Sequence, residues 1–152
     1  MGKIEHFTDL EVWKNAHAFV LEVYRVTEDF PKKEIYGLTS QFRRAAVSVA
    51  ANIAEGFKKR GLADKMRFLN ISQGSLEECH YYIILSRDLK YLENTKKLQE
   101  ILDKVARQLT ASITALKNKK NSTPYNLPHT TYNKTHEPPP TYHLPPPQKE
   151  KK

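Results

Sequence analysis

Gln41-Phe-Arg-Arg-Ala-Ala-Val-Ser-Val-Ala-Ala-Asn-Ile-Ala-Glu-Gly56 reads as a single helix carrying two adjacent stripes. Ala45, Ala46, Val49, Ala50, Ile53 and Phe57 recur at helical spacing and form an apolar one. Gln41, Arg44, Ser48, Asn52 and Glu55 follow one another at steps of three or four and form a polar one beside it. A solvent-facing helix would carry long Lys and Glu chains where this one carries Ser48 and Asn52. Short polar side chains among alanines point to close contact with another helix, where every buried polar atom must find a partner.

Outward from this stretch the pattern stays helical. The central helix is expected from Leu38 to Arg60, with Gly61 breaking it. Upstream, Thr8-Asp-Leu-Glu11 has the form of a capping box, in which the Thr hydroxyl and the Glu carboxylate satisfy each other's backbone amides. It opens a helix marked by Leu10, Trp13, His17, Val20 or Leu21, and Tyr24. Asp29-Phe-Pro31 ends that helix, because the residue before proline is pushed out of the helical region. The linker Pro31–Gly37 follows, with Gly37 free to take an unusual backbone angle.

Downstream, a third helix is expected from Ala63 to Leu89, with Phe68, Leu69 or Ile71, Ser75, Leu76, Tyr82 or Ile83, and Leu85 or Leu89 along one side. Gly74 in its middle costs roughly 1 kcal/mol against alanine, so close approach of the central helix's alanines is expected there. A fourth, from Asn94 to Lys117, shows a clean stripe of Leu98, Ile101 or Leu102, Val105, Leu109, Ile113 and Leu116. No sustained alternation and no Asn-Gly or Asp-Gly turn marks a strand. Four amphipathic helices with short links predict an all-α protein, an antiparallel up-down-up-down four-helix bundle.

Composition divides the 152 residues in two. Eight of the nine prolines follow Asn118, and no apolar periodicity continues beyond it. The reading is a bundle over 1–117 and a Pro/Tyr-rich extended or disordered tail over 118–152. Pro138-Pro-Pro140 and Pro145-Pro-Pro147 favour polyproline II and cannot build a core. Such a tail can serve as a docking peptide for an aromatic groove, or it can be a plain extension. A single cysteine, Cys79, excludes an intrachain disulfide and fits a reducing cytoplasm. The N-terminus has no apolar signal segment, and Ala45–Ala54 is too short to span a bilayer.

The net charge is +8, of which six lysines against two glutamates put +4 in the tail. A basic surface attracts polyanions, RNA or DNA first, although charge of this size also serves solubility. The bases that stand out are Arg43, Lys58, Lys59, Arg60, Lys65 and Arg67. All but Arg43 surround the turn between the second and third helices and would form a basic cap on the bundle. They are candidates for phosphate contacts. The plainer reading of Lys58–Arg60 is that cations suit a helix C-terminus. Arg44 lies in the polar stripe and is read as structural. Phe57 and Phe68 are read as core rather than as stacking platforms for bases.

No catalytic constellation is present. Glu77-Glu-Cys-His80 holds one Glu-x-x-His, whereas a carboxylate-bridged di-metal bundle uses two copies and two further glutamates. Glu77 or Glu78 is expected instead to pair with Arg43, Arg44 or Asn52 across the helix pair. Gly56-Phe-Lys-Lys-Arg-Gly61 ends a helix rather than opening one, so the dipole has the wrong sign to cradle phosphate. Neither an enzyme activity nor a cofactor is expected.

Four motifs in order carry a resemblance: Asp9-Leu-Glu-Val-Trp13, Leu38-Thr-Ser-Gln-Phe-Arg-Arg-Ala-Ala-Val-Ser48, Asn52-Ile-Ala-Glu-Gly56 and Phe68-Leu-Asn-Ile-Ser-Gln-Gly-Ser-Leu-Glu-Glu78. Over residues 8–117 the chain resembles the four-helix-bundle proteins encoded in intervening sequences of bacterial 23S rRNA genes. That family is similar in fold to the accessory variability protein of diversity-generating retroelements, a basic homopentamer that binds a reverse transcriptase and nucleic acid. The resemblance implies a homo-oligomeric ring, a pentamer by analogy, with RNA, DNA or a reverse transcriptase as partner and no enzyme activity. It also offers a reason for the polar stripe: Gln41, Arg44, Ser48, Asn52 and Glu55, with Asn70, Glu77 and Glu78, are expected to form a hydrogen-bonded seam within or between subunits. The competing class is a protein-interaction scaffold whose ring and Pro-rich tail dock a protein partner.

Overall fold

The computed structural model describes residues 2–122; the tail from 123 onward, with the readings made of it, lies outside the described residues. Four helices follow in order: α1 (Glu11–Thr27), α2 (Leu38–Lys58), α3 (Leu62–Asp88) and α4 (Lys96–Ser122). Short 3-10 turns at Phe7–Asp9 and Lys32–Glu34 precede α1 and α2. Each helix packs on its two neighbours in a closed square, α1 on α2 and α4, α3 on α2 and α4, with α2 against α3 the most extensive pair. The chain is therefore the expected antiparallel all-α bundle. The helix begun at Lys96 runs through Lys119 and Lys120 to Ser122, five residues past the boundary that composition marks.

The capping box is differently built. Asp9, not Glu11, reaches back, its carboxylate accepting the amides of Glu5 at 3.1 Å and His6 at 2.9 Å. Those two hydrogen bonds hold its carboxyl below the usual range. The turn they close is the 3-10 turn, and α1 begins only after Leu10.

The core faces of α2 and α4 follow the reading: Ala45, Ala46, Val49, Ala50 and Ile53 are buried, as are Leu98, Leu102, Val105, Leu109 and Ile113. On α1 the buried face is Val12, Ala16, Phe19, Val23 and Val26. The residues singled out in the sequence, Trp13, His17, Val20 and Tyr24, lie one position round the helix, half-buried or exposed. On α3, Leu69, Leu76 and Ile83 go inward, whereas Ile71 and Leu89 are exposed. Both helices are apolar on two sides, and periodicity alone does not say which side turns inward.

The close helix contact falls at a different glycine. A Cβ on Gly56 would lie 3.0 Å from Phe68 Cβ, so the end of α2 meets the start of α3 only because Gly56 has no side chain. Gly74 is exposed, and a Cβ there would meet nothing within 4 Å. Gly37 takes φ −109° and ψ −118°, outside the helical and extended regions. A Cβ at Gly37 would lie 2.7 Å from Glu34 Oε2, which accepts the Leu38 amide at 3.0 Å and so starts α2.

A buried ion cluster joins α1 to α4. Glu22 is 6% exposed; its Oε2 accepts Arg25 Nε at 3.0 Å and lies 3.1 Å from Lys97 Nζ of α4, while its Oε1 accepts Arg25 Nη2. The Arg25 hydrogen bond, with that of Lys97, brings the Glu22 carboxyl down to about 2 against the opposing effect of burial.

Candidate nucleic-acid interface

The antiparallel order brings the end of α2, the start of α3, the start of α1 and the end of α4 to one end of the bundle. Leu10, Phe57, Lys65 and Leu116 line one small cleft there and mark the meeting of all four helices. Five of the six candidate bases belong to this end, and they divide by what they touch. Lys65 Nζ donates to the Phe57 carbonyl at 2.8 Å, capping the last turn of α2 where the helix dipole favours a cation. Lys59 and Arg67 lie over the ring of buried Phe68, at 4.9 and 4.6 Å from its centroid. Lys59 also approaches Glu55 at 3.9 Å and Arg67 approaches Asp64 at 3.5 Å. Lys58 and Arg60 are exposed and make no side-chain hydrogen bond or ion pair among the described residues.

Arg43 is not part of this end. It lies on α2 about 22 Å away by helix rise, where its Nε donates to Thr27 Oγ1 at 2.8 Å and its guanidinium covers the Tyr24 ring at 4.6 Å. It also reaches Glu28 at 3.3 Å, so it ties α2 to α1. In exchange, α4 delivers further bases: Lys117, and Lys119 and Lys120, which composition assigns to the tail, ride its last turns. Lys117 joins Arg67 and Asn70 around a shallow groove between α3 and α4.

The polar seam exists in part. Ser48 and Ser75 share a 2.8 Å hydrogen bond across α2 and α3, and Asn52 Nδ2 donates to the Ser48 carbonyl at 2.8 Å and to its Oγ at 3.0 Å. Ser72, missed in the sequence, donates to the Val49 carbonyl at 2.9 Å beside them. Gln41, Arg44, Glu55, Asn70, Glu77 and Glu78 are exposed and do not join it. Neither Glu77 nor Glu78 crosses to α2: Glu78 accepts the Tyr82 hydroxyl at 2.7 Å, and Glu77 lies 3.8 Å from His80. Both contacts are local, at i to i+3 or i+4 along α3.

Arg44 instead borders an open groove between α1 and α2 with Tyr24, Ile35, Ser40 and Asn52. Among the described residues, no three His, Cys, Asp or Glu side chains come together as a metal site. Cys79 is buried, and burial pushes its thiol well above the usual range, away from nucleophilic use. No helix of the described residues is long and apolar enough to cross a membrane.

These features define a class: a small antiparallel helical bundle whose one end gathers cations from three helices. The chain belongs to the 23S rRNA-intervening sequence protein family, whose family model matches residues 8–111. Among solved structures it is similar to a protein of unknown function from the S23 ribosomal protein family of Bacteroides thetaiotaomicron. The two are 20% identical, with a TM-score of 0.62 over 68% of this chain and 95% of the other. At that identity the likeness concerns the fold. No curated protein matches the chain.

Proposed function

We propose that this protein is a non-enzymatic, homo-oligomeric bundle that binds nucleic acid through its basic end. The observation that carries the reading is the placement at one end of Lys58 and Arg60, exposed and without a side-chain partner among the described residues, with Lys117 and Lys120 on the last turns of the antiparallel α4. Phosphate contacts need cations that are not already spent on the fold, and these are such cations. Lys65 serves the fold, and Lys59 and Arg67 hold Phe68 while keeping their charge toward solvent. Self-association is supported by a second apolar stripe on α3, where Ile71, Tyr81 and Ile84 are 40%, 56% and 37% exposed around the open flank of Gly74.

The test is binding of a short structured RNA and a matched DNA duplex at several salt concentrations, with the mass of the assembly measured in parallel. Affinity is expected to fall steeply with salt, and the double variant Lys58→Gln, Arg60→Gln to lower the logarithmic slope by roughly 1–2. Binding that ignores both salt and the double variant would reject the basic end as the interface. A protein that stays monomeric throughout would reject the assembly.

A further inference from the structure

On the face between α1 and α2, a cleft of about 380 Å³ runs from the basic end to the middle of the bundle and carries an aromatic wall. Trp13 and His17 stack in parallel, 5.0 Å apart at 7°, and Phe7 meets the Trp13 edge at 5.1 Å. Val20 continues this wall, and Val47, Ala51 and Ala54 of α2 form the opposite one. Val47 is 41% exposed. The Trp13 indole N–H has no acceptor among the described residues. It is open to solvent rather than buried, so it is available to a carbonyl laid along the cleft. No charged side chain lines this cleft, whereas Arg43 and Arg44 line the larger groove on the same face and Arg67 and Lys117 line the one between α3 and α4.

We infer that the cleft is the docking site of this chain's own segment 138–147, Pro-Pro-Pro-Thr-Tyr-His-Leu-Pro-Pro-Pro. Proline-rich peptides bind aromatic-lined grooves because polyproline II is already ordered and leaves its carbonyls free for donors such as an indole. Trp13 to Val20 spans about 10 Å along α1, close to the ~9 Å of one polyproline II turn. The aromatic wall is thus about the length of one Pro-Pro-Pro triplet. The chain leaves α4 at Ser122, at the end of the bundle where α1 starts, and 15 residues separate Ser122 from Pro138. A coil of that length covers about 20 Å, enough to pass one helix diameter of about 10 Å. The segment carries no Lys, Arg, Asp or Glu, and neither does the lining of the cleft, so docking desolvates no charge.

Trp13 is the sole tryptophan, so its fluorescence reads the cleft directly. A short tether gives an effective concentration on the order of 1 mM, so even a ~100 μM contact is about nine-tenths occupied. In the full chain, replacing all six prolines (Pro138→Ser, Pro139→Ser, Pro140→Ser, Pro145→Ser, Pro146→Ser, Pro147→Ser) is expected to raise acrylamide quenching of Trp13 about two-fold. The bundle's circular dichroism spectrum should not change, and its melt should fall only by the few degrees that losing a contact occupied about ten to one implies. A synthetic peptide of residues 136–148 should restore protection to the proline variant in a saturable way, and fail to do so when Val47→Arg is added. Equal quenching of the parent and the proline variant would overturn the inference. So would protection that disappears on hundred-fold dilution, which would mean that a second copy covers the cleft.

Discussion

Glu22 on α1 and Lys97 on α4 are joined by a 3.1 Å ion pair whose carboxylate is buried and whose ammonium reaches it from solvent. Arg25 completes the cluster from one turn along α1. The Glu22 carboxyl titrates near 2 in the fold, against 4.5 ordinarily. The stabilisation is therefore fully present above about pH 4.5 and is lost as pH falls toward 2. It is expected to amount to about 2–3 kcal/mol. Urea melts between pH 7 and pH 2.5 should show this loss in the parent protein. The double variant Glu22→Leu, Lys97→Met should show a visibly shallower dependence. An identical pH profile in both would exclude the cluster as its source.

The two helical glycines predict opposite outcomes. Gly56→Ala forces a Cβ to 3.0 Å from Phe68 Cβ, and overpacking at a helix crossing costs about 1–3 kcal/mol. Gly74→Ala adds a methyl in open space on an exposed helix and should stabilise by about 0.5–1 kcal/mol. Thermal melts of the two variants check both signs. A destabilising Gly74→Ala would mean that the glycine serves a contact with another molecule, and the oligomer's mass would then be the quantity to follow.

Ser48 and Ser75 make a side-chain hydrogen bond between α2 and α3, with Asn52 bonded back to Ser48. Ser48→Ala or Ser75→Ala should each cost about 0.5–1.5 kcal/mol, and the double variant little more than either. Asn52→Leu should also lower the melting temperature, because it removes both Asn52 hydrogen bonds from a half-buried site. Additive Ser losses in a double-mutant cycle would show that the bond contributes nothing.

Lys65 and Arg60 sit five residues apart and should separate by phenotype. Lys65→Met removes the cation that caps the Phe57 carbonyl and should lower stability by roughly 0.5–1 kcal/mol. Arg60→Gln removes no side-chain hydrogen bond or ion pair among the described residues and should leave the melt unchanged while weakening RNA binding at low salt. The reverse pattern would mean that the division between structural and binding bases is wrong.

The Cys79 thiol is buried and held well above its usual range, so it should react with a thiol reagent only when the bundle opens. Its labelling rate should rise with denaturant in step with unfolding measured by circular dichroism. Rapid labelling in native buffer would contradict a closed α3 core face.

Local residue order was enough to lay out four helices, their antiparallel path and the inward faces of α2 and α4, because each of those two helices has one apolar side. It was not enough for α1 and α3. Trp13, His17, Tyr24, Ile71 and Tyr81 make a second apolar side, and a period of 3.6 residues specifies spacing without specifying azimuth. Nor does residue type reveal whether a base is occupied. Lys58 and Lys65 read alike along the chain, but only the packed turn sets Lys65 against the α2 carbonyls and leaves Lys58 in solvent. The glycines follow the same rule. Gly56 and Gly74 both interrupt helical sequence, and the crossing of α2 over α3 decides that Gly56 alone is needed for contact, since closeness between helices is a property of their packing and not of either strand of residues taken singly.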